Sequence, residues 1–142
     1  MKMKYSFVLI VLVLFAGACA LIEKDDPAQP TCVGSADTSA AGSWQGSINS
    51  SLYGSGTLTV NIQQTNECLS GAFTVVYSSA WSSGKISGTI YDGGGYSGTL
   101  SDDYGSCPSS ATGTVSGSTM TGTFNTGNCT PADNGTFSLT KL

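Results

Sequence analysis

A five-residue unit recurs along this chain: an apolar residue, a glycine two places later, and a second apolar residue two places after that. The unit is clearest in Ile86–Ile90 (ISGTI) and Tyr96–Leu100 (YSGTL), which flank the turn sequence Asp92–Gly95 (DGGG). Side chains alternate between the two faces of a β-strand, so the apolar residues and glycine of each unit share one face while Ser and Thr occupy the other. The two units and their turn therefore predict a β-hairpin with one buried face.

Six further segments repeat the unit or a close variant of it. They are Trp44–Ile48, Gly56–Ile62, Leu69–Phe73, Ala111–Val115, Met120–Phe124 and Gly135–Leu139. Glycine destabilises a strand, so its repeated use at inward positions needs a geometric reason. Glycine lets a sheet bend sharply, and a small closed barrel has no room for eight large side chains in one layer.

With short connections between neighbours, the eight segments predict an all-β fold, an eight-stranded antiparallel up-and-down meander barrel. Two packed four-stranded sheets would give a similar pattern and are the alternative architecture.

The first 18 residues are built like a secretory signal peptide, because Lys2 and Lys4 precede an apolar run over residues 7–15 that is short for a membrane span. The stretch Leu14–Cys19 that follows resembles a bacterial lipobox, in which the cysteine is lipidated and becomes the first mature residue. The resemblance implies a palmitate-type lipid on Cys19, and Ala20 after it implies delivery to the outer membrane. The predicted location is thus the bacterial cell envelope, with the membrane contacted through the N-terminal lipid.

Residues 19–41 contain a charged run ending at Pro27, a second proline at Pro30 and many small or polar residues, with almost nothing to bury. This composition is typical of a flexible, disordered tether. The predicted order is therefore a signal peptide over 1–18, a lipid-anchored tether over 19–41 and a barrel domain over 42–142. The last segment has about a hundred residues, enough for a single modest core.

Charge excludes one large class of partners. Without the signal peptide the chain has three lysines, no arginine and no histidine against nine acidic residues, a net charge near −6. Nucleic-acid binding needs clustered basic side chains, and Lys24, Lys85 and Lys141 are far apart in the sequence. No nucleic-acid partner is expected.

The same inventory argues against an enzyme. Histidine, the usual base for an activated serine or thiol, is absent, and neither Lys85 nor Lys141 lies in a catalytic motif. Asp102 and Asp103 are adjacent in a strand and would point to opposite faces, whereas paired catalytic carboxylates must converge on a substrate. A calcium site at these aspartates would lack an EF-hand or Gly-Asp repeat. No catalytic residue, cofactor or metal site is predicted.

Four cysteines follow Cys19 in the sequence. An even count in an exported chain is typical of two disulfides, with three ways to pair them. In a meander, Cys32 and Cys68 lie at one end of the barrel, and Cys107 and Cys129 at the other. This placement predicts the bonds Cys32–Cys68 and Cys107–Cys129. A zinc site is the weaker alternative, because the chain has no CxxC pair and no histidine.

Two residues far apart in the sequence would meet at one end of such a barrel. Trp44, in Gly42-Ser43-Trp44, opens the first strand, and Lys141 lies in the last. This pair resembles the signature of the calycins, which include lipocalins and avidins and in which a G-x-W tryptophan closes one barrel end beneath a basic side chain. The domain also resembles small bacterial lipoproteins rich in W-x-G and S-G-T motifs. The resemblance implies the barrel fold and a structural plug formed by Trp44 and Lys141.

Aromatic residues near the predicted connections indicate a contact surface. Tyr53, Trp81 and Tyr104 fall at one end of the meander, where calycins admit ligands. The predicted function is therefore a non-catalytic binding or structural module, whose partner is an envelope protein or a glycan.

The alternative function is a lipocalin-like carrier of a small apolar ligand. Its pocket would be lined by Leu58, Phe73, Ile90, Leu100 and Phe124. The inward side chains, however, supply enough bulk for a narrow barrel, so the interior is expected to be filled.

Overall fold

Eight antiparallel strands follow one another around a closed barrel in a computed structural model that describes residues 32–104 and 107–142. The strands are β1 (Gly42–Ser50), β2 (Gly54–Thr65), β3 (Cys68–Tyr77), β4 (Trp81–Ile90), β5 (Gly95–Asp102), β6 (Ser109–Ser116), β7 (Thr119–Asn125) and β8 (Asn134–Lys141). Each strand pairs with its neighbours in sequence, and β8 pairs with β1. The predicted meander barrel is confirmed, and the two-sheet alternative is excluded. The predicted signal peptide and Cys19 lie outside the described residues.

The seam between β1 and β8 shows why inward positions lack side chains. An added Cβ at Gly46 in β1 would overlap the Ser138 carbonyl oxygen of β8 and approach Leu139 Cα to 2.8 Å. Gly113 in β6 is crowded in the same way by the Thr121 carbonyl oxygen of β7. Glycine at these inward positions therefore allows neighbouring strands to coil closely enough for the sheet to close on itself.

The connections alternate between two ends of the barrel. The end called the mouth below carries the β1–β2, β3–β4, β5–β6 and β7–β8 connections, at residues 51–53, 78–80, 103–108 and 126–133. The opposite end, called the base, carries the β2–β3, β4–β5 and β6–β7 connections, with a short 3-10 turn at Asp92–Gly94. No helix in the described ranges has the length and apolar character of a membrane span.

The base is covered by residues 32–41, the N-terminal strap, which the sequence assigns to the tether. Ala40 is fully buried, and its backbone N–H donates a 2.7 Å hydrogen bond to Gln64 Oε1 of β2. The Gln64 amide in turn donates to the Thr38 carbonyl at 3.2 Å. These contacts make the strap part of the folded domain. Hydrogen bonds and one disulfide hold the segment in place, and Ala40 is its fully buried apolar residue.

Both predicted disulfides are confirmed. Cys32 is bonded to Cys68 at the base, with a Cα–Cα distance of 5.4 Å. Cys107 is bonded to Cys129 at the mouth, with a Cα–Cα distance of 6.1 Å. One bond therefore ties the strap to the start of β3, and the other ties together the β5–β6 and β7–β8 connections.

Candidate ligand site in the barrel interior

The barrel encloses a cavity of about 390 Å³ that extends to the mouth. Its wall is mainly apolar. Inward side chains from β1 to β8 line it: Ile48, Leu58, Val60, Ile62, Leu69, Phe73, Val75, Ile86, Leu100, Ala111, Met120, Phe124, Phe137 and Leu139. The expectation of a filled interior is therefore wrong.

The uneven distribution of side-chain volume explains the cavity. Trp44 and Ile90 are fully buried but do not line it. Within the wall, Gly88 of β4 lies opposite Gly98 of β5, and Gly98 lies opposite Ala111 of β6. A patch across three neighbouring strands thus contributes almost no side-chain volume, and the apolar bulk elsewhere in the barrel does not reach across to fill it.

Four of the five residues named for the alternative carrier pocket line the cavity. They are Leu58, Phe73, Leu100 and Phe124. The fifth, Ile90, does not, because it ends β4 at the base. The cavity wall therefore agrees with the predicted carrier pocket except at Ile90.

A buried carboxylate forms part of the cavity wall near the mouth. Asp133, at the end of the β7–β8 connection, is 8% exposed and lines the cavity. Its carboxylate accepts hydrogen bonds from the Ser50 hydroxyl at 2.8 Å and the Ser51 hydroxyl at 2.9 Å. The Leu52 backbone N–H donates to it at 3.3 Å. Asp133 thus joins the β7–β8 connection to the β1–β2 connection across the barrel seam.

A threonine fixes the position of Asp133 within its own loop. The Asp133 backbone N–H donates to Thr126 Oγ1 at 2.6 Å, and the Thr126 backbone N–H donates to the Asp133 carbonyl at 2.8 Å. These bonds close the 126–133 connection on itself. The backbone of Asp133 is therefore held within its own connection, while its carboxylate is held by Ser50, Ser51 and Leu52, so hydrogen bonds from both sides fix the position of this residue.

Two tyrosine rings flank the same opening. Tyr53 and Tyr77 both line the cavity, and their rings stack with centroids 5.3 Å apart. Burial and the negative charge of Asp133 raise the pKa of Tyr77 to about 12, although a hydrogen bond with Ser50 acts in the opposite direction. The Tyr77 hydroxyl is therefore protonated at neutral pH and can donate a hydrogen bond.

The three residues predicted as a contact surface all lie at the mouth but divide into two groups. Tyr53 lines the cavity with Tyr77. Trp81 and Tyr104 do not line it and instead contact each other edge to face, with ring centroids 6.0 Å apart. Trp81 is 61% exposed and Tyr104 is 69% exposed. The structure therefore shows a ligand opening beside Tyr53 and a separate aromatic pair on the outer rim.

The adjacent carboxylates Asp102 and Asp103 point in different directions. Asp102 lines the cavity and accepts a 2.9 Å hydrogen bond from the Tyr104 backbone N–H. Asp103 is exposed and accepts a 2.7 Å hydrogen bond from the Ser83 hydroxyl. Among the described residues, no group of three or more His, Cys, Asp or Glu side chains is placed to hold a metal ion. The two carboxylates therefore have different surroundings, one inside the opening and one in solvent.

The base contains the residues predicted as a plug. Trp44 is fully buried, and its indole N–H donates a 2.8 Å hydrogen bond to the Ala40 carbonyl of the strap. The Lys141 ammonium lies 5.4 Å from the centroid of the Trp44 ring, within the range of a cation–π contact. The base is thus closed by the strap, the indole and the lysine stacked on one another.

The sequence did not identify the polar side of the opening. Tyr77 continues the inward phase of Phe73 and Val75, so its placement in the wall follows from strand alternation. Asp133 carries no comparable signal, because an aspartate before a strand is ordinary in a surface loop. Its role depends on hydrogen bonds to residues more than eighty positions away.

Similarity to known proteins extends to the fold alone. No protein-family model matches the sequence, and no curated protein is significantly similar to it. Among solved structures, the chain is similar to a de novo designed fluorescence-activating β-barrel, with a TM-score of 0.57 and 17% identity over 72% of this chain and 93% of that one. It is also similar to a redesigned β-barrel, with a TM-score of 0.56 and 15% identity over 72% of this chain and 90% of that one. The barrel geometry is therefore shared with structures that have unrelated sequences.

Proposed function

We propose that this protein is a non-catalytic carrier that binds one small, largely apolar molecule inside its barrel. The observation that supports this function best is the cavity of about 390 Å³, which lies within the roughly 300–1,000 Å³ typical of small-molecule sites. An apolar wall provides affinity by removing apolar ligand surface from water. A few polar groups at the mouth provide orientation, as in most ligand pockets.

The arrangement of polar groups supports binding rather than catalysis. The Asp133 carboxylate already accepts hydrogen bonds from two hydroxyls and a backbone N–H of the neighbouring loop. Its surroundings contain no histidine, because the chain has none. A carboxylate engaged in holding two loops is suited to orienting a ligand, whereas general acid or base catalysis needs a group free to exchange its proton with the substrate.

Filling the cavity tests this function. Ala111→Phe places a ring in the cavity, so we expect the mature chain from residue 19 to lose at least about tenfold in affinity for N-phenyl-1-naphthylamine. This uncharged dye emits strongly in apolar surroundings, and its affinity is measured by fluorescence titration. The matched control is Thr112→Phe, which adds the same ring on the outer face of β6.

A second control separates the cavity from the outer aromatic pair. Trp81→Ala removes an exposed ring that does not line the cavity, so dye affinity should stay unchanged. Loss of dye binding in Trp81→Ala with retention in Ala111→Phe would refute the carrier function. That result would favour the surface module, in which Trp81 and Tyr104 contact a glycan or an envelope protein. Circular dichroism confirms that each variant is folded before its affinity is compared.

We also propose that the protein is attached to the bacterial envelope through a lipid on Cys19, because Leu14–Cys19 resembles a lipobox. Within the described residues the chain enters the barrel through the strap at the base, so the anchored segment would connect to the end opposite the mouth.

The anchor has its own test. Cys19→Ser should abolish incorporation of radiolabelled palmitate in cells and release the protein from the membrane fraction. Trp81→Ala is the control, because it changes an exposed side chain of the barrel domain and leaves Cys19 in place. Undiminished labelling of Cys19→Ser would refute lipidation at this residue.

A further inference from the structure

Among the residues that the structure describes, the cavity lining carries negative charge at one end and no positive charge. Its lining contains two carboxylates, Asp102 and Asp133, and no lysine. The lysines of the described residues lie elsewhere: Lys85 is exposed on β4, and Lys141 lies over Trp44 at the base. A ligand that enters the mouth therefore meets an electrostatic field set by the two aspartates.

Neutral groups alone satisfy the buried carboxylate. The donors to Asp133 are two serine hydroxyls and one backbone N–H, and none of them carries a charge that would offset the carboxylate. The Ser50 hydroxyl is shared between both carboxylate oxygens, at 2.8 Å from each. Among the described residues, this shared hydroxyl is the only hydrogen-bond donor to Oδ2, so that oxygen of a cavity-lining residue keeps unused acceptor capacity.

The aromatic side of the opening suits the same ligand charge. Tyr53 and Tyr77 line the cavity as a stacked pair, and the face of a tyrosine ring attracts cations. The Tyr77 hydroxyl is close enough to Asp133 for the carboxylate to contribute to its raised pKa. One opening thus combines two carboxylates and two tyrosine rings with the apolar cavity.

We infer that the ligand is an amphiphilic organic cation, with an apolar body in the cavity and an amine-type head group at the mouth. The inference rests on the proposed function, because it assigns the chemistry of the same cavity. A fatty acid has the opposite arrangement of charge: its carboxylate would lie beside Asp102 and Asp133 without a basic partner. The carboxylates therefore select ligands by the sign of the head-group charge, and the cavity selects them by the size of the apolar body.

Three ligands of equal chain length test the assignment. Decylammonium, decanol and decanoate compete with N-phenyl-1-naphthylamine for the mature chain at pH 7, below the micelle concentrations of the two ions and the solubility limit of decanol. We expect decylammonium to bind most tightly and decanoate most weakly, with a ratio of at least about tenfold between them. The ratio should fall as sodium chloride is raised, because salt screens charges at a partly exposed mouth.

Adjacent residues provide matched variants for the same experiment. Asp102→Asn removes a carboxylate that lines the cavity, whereas Asp103→Asn removes one that faces solvent. We expect the preference for decylammonium over decanoate to fall several-fold in Asp102→Asn and to persist in Asp103→Asn. Asp133→Asn should also reduce the preference, and circular dichroism checks that its loops remain folded.

These experiments distinguish failure of the cation assignment from failure of the carrier function. If the dye binds but decanoate displaces it as well as decylammonium does, the cation assignment is overturned and the carrier function stands. An equal reduction in Asp102→Asn and Asp103→Asn would also overturn it, because the preference would then come from overall charge. If the dye does not bind at all, the carrier function itself fails.

Discussion

Removing the disulfide at the base, by the paired change Cys32→Ser and Cys68→Ser, is expected to lower the free energy of unfolding by about 4 kcal/mol. The bond joins residues 36 positions apart, and cross-linking restricts the unfolded chain more strongly as the enclosed loop lengthens. It also fixes the strap, whose carbonyl at Ala40 accepts the Trp44 hydrogen bond. Urea denaturation followed by circular dichroism measures the loss.

The mouth disulfide is the matched comparison. Cys107 and Cys129 are separated by 22 positions, so their paired replacement should cost slightly less, about 3 kcal/mol. Both cysteines line the cavity, whereas Cys32 and Cys68 do not. Dye binding should therefore weaken in the mouth variant and persist in the base variant under conditions where both are folded. A base variant with unchanged stability would show that the strap is held without its covalent bond.

Replacing Gly46 with alanine is expected to destabilise the barrel by about 3 kcal/mol, near the upper end of typical overpacking costs. The added methyl group would overlap the Ser138 carbonyl oxygen. This oxygen belongs to the backbone of β8, so it cannot move aside as the end of a flexible side chain can. The clash lies at the seam between β1 and β8, so relief requires these strands to separate. Chemical denaturation of the purified variant gives the change in the free energy of unfolding.

Gly95→Ala is the control for this substitution. Gly95 has a φ of −62°, which any residue adopts, and an added Cβ would approach only the Tyr91 ring, at 4.0 Å. The free energy of unfolding of this variant should stay within about 1 kcal/mol of the original and should not fall, because alanine restricts the unfolded chain without a clash in the folded one. If Gly46→Ala were equally mild, crowding between strands could not be the reason for glycine at the inward positions of this barrel.

Local sequence patterns were sufficient to predict the strands and their closure. Alternation in Ile86–Ile90 and Tyr96–Leu100 defines inward and outward faces, and glycine at the centre of each unit indicates a sheet that bends. Short connections then place sequential strands side by side, and this order alone selected one disulfide pairing from three. These features depend on residues and strands that are adjacent along the chain, so they can be inferred directly from the sequence.

Strand alternation identified four residues of the cavity wall, but whether the interior is empty and how its polar rim is built depend on distant residues and were not predictable in the same way. A count of inward side chains gives their total volume but not its distribution, and here Gly88, Gly98 and Ala111 adjoin one another across three strands. Asp133 acquires its role only when the seam brings Ser50 and Ser51 beside it. The strap was missed for a related reason, because it is held by the Gln64 side chain and a disulfide rather than by an apolar pattern.

The pairing of β8 with β1 has a consequence for behaviour in a crowded compartment. The ladder runs from Trp44 opposite Lys141 to Ser50 opposite Gly135, so both outer strands use their hydrogen-bonding groups within the same molecule. A sheet with free edges offers a template on which other chains can add and begin to aggregate. This protein offers no such template along its seam, and many copies could therefore stand side by side without joining into a continuous sheet.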